Sequence, residues 1–337
     1  MGDALIYIPQ GHAEFLDSRN NKAASKPWNA ISGMRNIEPV RVVGLNYIIS
    51  QDGRDETVAN LRLRLADPSA ASPGAEFEVE LPRLDDPDFL VPLHRYRAAA
   101  EKAWRVDDRC AVLWQEDGVD GIKVDSWWHG VVSAMNPNSG QWQGSPWNSF
   151  LVEYYNVTAP EDKTQAHSCW ELYDEDVLRR IRDGTERVDA DTPTLDRATV
   201  ARLMDRVRRA SAKLEYDAFT KTIGSEVSFP QVDGSRVNYC SLVPLPMALD
   251  LILKRLASGY YRQVEAFKHD LATLRGNCEL FNGDGSEYTT SAVALERELC
   301  ENLQTVDIDR PIVGVEPASR VPPPVEDITT PRGRRRR

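Results

Sequence analysis

Apolar positions recur at helical spacing through the last third of the chain. Val264, Phe267 and Leu271 form a stripe that Leu274 continues. The run reaches Phe281-Asn282 and is broken at once by Gly283-Asp284-Gly285. This pattern predicts a helix that ends on a displayed carboxamide. Ser286, with Glu287 beside it, is placed to cap a second helix carrying Ala292, Leu295, Leu299 and Leu303. Upstream, Leu203, Val207, Ala210 and Leu214 lie at helical spacing along one face.

The first half alternates instead. Residues 2–12 read as a short strand closed by Pro9 and Gly11, with a helical turn at 13–16. Strands are expected over 39–49, over Leu61, Leu63 and Leu65, and over Phe77, Val79 and Leu81. Phe89, Leu93, Tyr96 and Ala100 suggest a helix over 88–104, with acidic residues at its start. Four short strands follow, at 107–113, 126–133, 150–156 and 167–172. Their turns are rich in Gly, Asn and Pro, as in a small barrel. The expected fold class is α+β multidomain, a small β-barrel region before an all-α four-helix bundle. The boundaries are 1–175 for the composite β region, 176–197 for a linker, 198–306 for the bundle and 307–337 for a disordered basic tail.

Composition narrows the function classes. The 337 residues suffice for two or three domains. No apolar run is long enough to span a bilayer. The five cysteines are scattered with no Cys-x-x-Cys pair, which argues against zinc and a disulfide framework. The net charge of −11 suits basic partners better than DNA. The exception is Arg332 with the Arg334–Arg337 run, read first as a solvated tail, with nuclear import or a weak contact to DNA phosphates as the minority readings. No Ser/His/Asp order, Gly-rich phosphate loop or His-x-x-x-His spacing is present, so no catalytic residue, metal site or cofactor is assigned, and the chain is not expected to be an enzyme.

The stretch from Tyr239 to Tyr288 resembles a bromodomain. By that likeness 202–219 and 249–256 are two further helices; Tyr239 and Pro246-Met247 precede 249–256, and Phe281-Asn282 stands in register with them. The resemblance implies an acetyl-lysine pocket. Asn282 would donate its side-chain NH2 to the acetyl oxygen, and Tyr239 would hold a water for the second bond. Phe229, Pro230 and Val232 would form an apolar wall beside Phe281, with Tyr288 at the mouth. Phe219 competes with Phe229 as the shelf aromatic. Asn also ends helices without any ligand, so the assignment leans equally on Tyr239 and the helix spacing. Four positions depart from the family's pattern: Val237-Asn238 replaces Pro-Asp, Ala248 replaces a helix-capping Asp, and Phe281 replaces a Tyr.

The barrel resembles a Tudor domain. By that likeness Trp128 and Tyr154 stand where cage aromatics stand, with Trp127 and Tyr155 on the opposite strand faces. The competing reading makes these rings core, as Trp170 is expected to be. Gly2–His12, Lys26-Pro27-Trp28, Gly44-Leu45-Asn46-Tyr47, Asp107-Asp108-Arg109, Trp127–Gly130 and Trp170-Glu171-Leu172, followed by the bromodomain, resemble the bromodomain and WD-repeat family in the same order. That likeness implies nuclear chromatin binding, with acetylated and methylated histone tails and the nucleosome as partners, and roles in transcription and cell shape. No repeat of propeller period is found in the chain. The alternatives are a structural adaptor with degenerate pockets, or part of a substrate receptor for a cullin ubiquitin ligase.

Overall fold

The computed structural model describes residues 2–19, 25–49, 57–82, 88–117, 123–155, 157, 159–183, 195–230, 234–304 and 309–315. The described residues fall into two compact units, one holding those up to 95 and from 195 to 315, the other those from 96 to 183. The boundary lies inside one helix.

The first unit opens with β1 (Ala4–Tyr7), α1 (Pro9–Ser18) and the short α2 (Pro27–Ala30). Pro9 does not close the strand with a loop as expected. It occupies the first helical turn, where a missing N–H costs nothing, and so starts α1. Then come β2 (Glu38–Ile49), β3 (Thr57–Leu65), β4 (Glu76–Pro82) and β5 (Leu90–Pro92). They form an antiparallel sheet in the order β4-β3-β2-β1-β5. Arg62 pairs across the ladder with Glu78, and Leu63 with Phe77, so one face is charged and the other apolar. On the apolar side, Tyr7 hydrogen-bonds His12 Nδ1 at 2.9 Å and His12 stacks on Phe89 at 4.6 Å. Burial lowers the His12 pKa to about 4, which keeps the ring neutral in this core.

The helix expected over 88–104 begins later, as α3 (Leu93–Lys102). Leu90, Val91 and Pro92 pair with Tyr7, Ile6 and Leu5 instead. An apolar run beside an open sheet edge gains more from that ladder than from a first helical turn.

The second unit carries β6 (Arg109–Asp117), β7 (Lys123–Met135), β8 (Phe150–Tyr154), α4 (Pro160–Lys163), β9 (Thr164–His167), β10 (Leu172–Tyr173) and α5 (Glu175–Arg182). Its strands form an antiparallel sheet, β10-β6-β7-β8-β9. The expected strand at 167–172 is split. Cys169–Glu171 turns as a 3-10 segment, because Glu171 Oε2 accepts from Ser168 N at 3.2 Å and Ser168 Oγ accepts from Asn148 N at 3.1 Å. Trp170 is buried there, packed on Tyr96 and Trp147. Gly130 faces Tyr154 across the β7–β8 ladder, where a Cβ would meet Glu153 O at 2.5 Å.

The bundle belongs to the first unit. It comprises α6 (Arg197–Ser211), the hairpin β11 (Ser228–Pro230) and β12 (Arg236–Asn238), α7 (Tyr239–Leu242), α8 (Leu249–Ala257), α9 (Val264–Asn282) and α10 (Glu287–Cys300). Leu203, Val207, Ala210, Phe267, Leu271, Leu274, Ala292, Leu295 and Leu299 are buried in one cluster. Leu214 was expected on the same face but is exposed. The α helix stops at Ser211, and Leu214 opens a 3-10 segment (Leu214–Phe219) whose tighter turn rotates it outward.

Polar contacts join bundle and first sheet within this unit. His269 Nε2 meets Leu45 O at 2.6 Å, and Thr57 Oγ1 donates to Pro244 O at 2.6 Å. Residues 309–315 also return to the sheet. Ile312 is buried and its N–H donates to Ala66 O at 2.9 Å, Arg41 Nε donates to Arg310 O, and Arg64 pairs with Asp309. This part of the expected disordered tail is therefore held. The Arg334–Arg337 run lies outside the described residues.

Candidate acetyl-lysine pocket

Three local features place Asn282. It is the last residue of α9, and Gly283 follows at φ +83°, where a side chain would be strained. Ser286 caps α10 by accepting from Thr289 N at 3.1 Å. The buried Thr289 hydroxyl donates to Gly283 O at 2.8 Å, which pins the turn between the helices.

The opposite wall starts at the β11–β12 hairpin, where Phe229 pairs with Val237. Asn238 caps α7 through Cys240 N at 2.9 Å, so it supplies the cap that the substituted Asp would give. Asn277 Nδ2 donates to Leu245 O at 2.8 Å and fixes the approach to α8. Ala248 offers α8 no side-chain cap. Asp250 compensates from the first turn, with Oδ1 accepting from Leu251 N at 2.7 Å and from Thr222 Oγ1 at 2.7 Å. The loop at 220–222 is thereby tied to α8.

These elements enclose a cavity of about 370 Å³. Asn282, Tyr239, Phe229, Phe281 and Tyr288 all line it. Phe281 packs 5.1 Å from Phe229 and 5.0 Å from Tyr239, centroid to centroid. Burial pushes the Tyr239 pKa up to about 12, with minor contributions from Cys278 and Cys240, so its hydroxyl keeps its proton. Asn282 Nδ2 donates to Cys278 O at 3.0 Å. Its other contact, Cys278 Sγ at 3.4 Å, is a weak acceptor that a carbonyl oxygen outcompetes. The arrangement can offer one amide donor and one hydroxyl to a small neutral acyl group in otherwise apolar walls.

Other expected residues fall elsewhere. Pro230 is exposed and is not among the lining residues, because its neighbour Phe229 takes the inward position of the strand alternation. Val232 lies outside the described residues. Phe219 and Phe229 both line the cavity, but Phe219 is buried in the bundle core while Phe229 stays half-buried against Tyr239.

In the second unit, Trp128 and Tyr154 meet at 5.3 Å, edge to face. Trp114 joins them, 5.6 Å from Trp128. Tyr154 is buried and its hydroxyl is engaged by Trp114 Nε1 at 3.1 Å and His167 Nε2 at 2.6 Å. It therefore backs the two indoles and offers little open face. Trp127 packs on Tyr173 instead, and Tyr155 is exposed beyond the end of β8. Trp128 and Tyr154 thus sit with Trp114 and His167, while Trp127 and Tyr155 lie apart from that group.

A family model described as BRWD/PHIP ancillary domain-like domain matches residues 1–181, more than half of the chain. The chain belongs to the BRWD/PHIP family. A second model, the bromodomain, matches residues 207–294. In this BRWD/PHIP chain every residue lining the cavity lies within the bromodomain match. Trp114, Trp128, Tyr154 and His167 lie within the ancillary match.

Sequence reasoning missed several lining residues of this BRWD/PHIP chain. Cys278 and Leu274 lie one and two helical turns before Asn282, so helical periodicity from that amide would have found them. Lys221 and Ile223 sit on an irregular loop, which carries no periodic signal.

Proposed function

We propose that the chain is a chromatin reader in which this cavity binds acetyl-lysine on histone tails, in the nucleus, in the service of transcription regulation. The carrying observation is the convergence of Asn282 and Tyr239 on one apolar cavity inside the bromodomain match. A lysine ammonium entering such walls would give up its hydration without replacement. An acetamide needs only a donor for its carbonyl, and Asn282 has one. Tyr239, held as a neutral phenol, provides for a bridging water.

Isothermal titration with matched acetylated and unmodified histone-tail peptides tests the reading. Acetylated peptides are expected to bind and unmodified ones not to. Equal binding, or none, would return the chain to the adaptor reading.

A second reading concerns the other unit. The half-buried Trp114 and Trp128 offer two tilted indole faces, which supports binding of a methylated histone H3 lysine by cation–π attraction, at roughly 1 kcal/mol per exposed face. Trp128→Ala is then expected to weaken binding of methylated peptides about five-fold. Unchanged affinity would make the ring purely a packing element.

A further inference from the structure

We propose that the mouth of the cavity reads the charge order of the bound peptide. An acidic residue on one side of the acetyl-lysine meets Lys221, and a basic residue on the other side meets Asp284 and Glu287. The inference rests on the acetyl-lysine reading of the same site and adds the chemistry of the flanking residues.

Lys221 is the charged member of the lining; the others are apolar, aromatic or the Asn282 amide. It is exposed and makes no ion pair among the described residues. Its loop is not free to wander, because Thr222 is held at both its N–H and its hydroxyl by Asp250. The cation is therefore presented at a fixed part of the rim, on the loop that also brings Ile223 to the wall. The turn after α9 carries the other sign. Asp284 and Glu287 are exposed, and they lie between Asn282 and Tyr288, both of which line the cavity. That turn is pinned by Thr289 and Ser286. Lys221 in the lining, and the acidic pair next in sequence to the lining residues Asn282 and Tyr288, thus stand on two separately anchored segments.

A peptide threading its acetyl-lysine inward must lay its flanks over this rim. One chain direction places unlike charges together and the reverse places like charges together. Each exposed pair contributes little. Two pairs gained against two lost give an expected preference of about five-fold between the orders.

The test uses the full chain and two acetyl-lysine peptides of identical composition, one with Glu before and Lys after the modified residue, the other reversed. Wild type is expected to favour one order by about five-fold, and the preference should shrink at roughly 0.5 M salt. Lys221→Glu should erase or invert the ranking. Equal affinity for the two orders, a ranking unmoved by Lys221→Glu, or a preference insensitive to salt would each overturn the proposal. Asn282→Ala serves as the control for the underlying reading. It should weaken binding of both peptides roughly ten- to hundred-fold, and affinity equal to wild type would sink the pocket assignment itself rather than the charge order alone.

Discussion

Asn282→Ala is expected to weaken acetyl-lysine binding roughly ten- to hundred-fold while the protein melts at an unchanged temperature. The affinity loss follows from leaving the ligand's carbonyl without a donor in an apolar cavity, which costs about 1–3 kcal/mol. The fold is spared because Asn282 is exposed on the last turn of α9, and its bonds run back to Cys278 on the same helix. Surface positions of this kind move stability by about 0.5 kcal/mol or less. Titration calorimetry and a thermal melt on one preparation check both halves. A variant that binds as tightly as wild type removes Asn282 from the site. A variant that fails to fold would show instead that the turn after α9 depends on the amide.

The largest stability effect is expected from Asp270→Ala. Asp270 is 3% exposed on α9, where its Oδ2 accepts from Arg255 Nη1 at 2.6 Å and from the Tyr261 hydroxyl at 2.6 Å. Burial alone would raise its pKa. Hydrogen bonds from His269, Tyr261 and Arg255, with the Arg255 charge, outweigh that and hold the carboxyl below its ordinary 3.8. Alanine leaves the guanidinium and the phenol without their acceptor beneath α8. Breaking a buried pair from one side costs about 3–5 kcal/mol. Because the folded pKa lies below the unfolded one, the stabilisation is complete above about pH 4. It is lost as pH falls through the folded value. Chemical denaturation at neutral pH and along an acid series reads both effects. Wild type should lose stability on acidification below about pH 4, and the variant should start lower and lose less. A variant as stable as wild type at pH 7 would show that the charge pair is offset by its desolvation.

The bundle was legible because its apolar stripes are long and uninterrupted. Phe267, Leu271 and Leu274 on α9, and Ala292, Leu295 and Leu299 on α10, face the core as periodicity requires. The alternating strands β2, β3 and β4 were legible for the same reason at period two. Readings failed where a partner distant in sequence decided the outcome. Leu90–Pro92 reads locally as the start of a helix, but the open edge of β1 makes it a strand. At 167–172 the cause is local instead: Glu171, reaching back to Ser168, turns what alternation reads as one strand. At the candidate site, Asn282 was marked by the glycine turn after it and Tyr239 by the resemblance to a bromodomain. Lys221 and Ile223 were not, since an irregular loop leaves no trace of which side chains turn inward. In the second unit, Trp127 and Trp128 are adjacent on one strand, so alternation alone sends one ring toward Tyr154 and the other toward Tyr173.

The contact of His269 with the Leu45 carbonyl bears on how this protein is divided for experiments. A recombinant piece cut to the matched limits 207–294 would start inside α6, drop the Asp196 cap and end before the last turn of α10. It would also strand a histidine against solvent where β2 now meets it. A piece that keeps the first sheet with the bundle retains this contact, and its upstream limit belongs after Lys102, since a cut at 95 would sever α3.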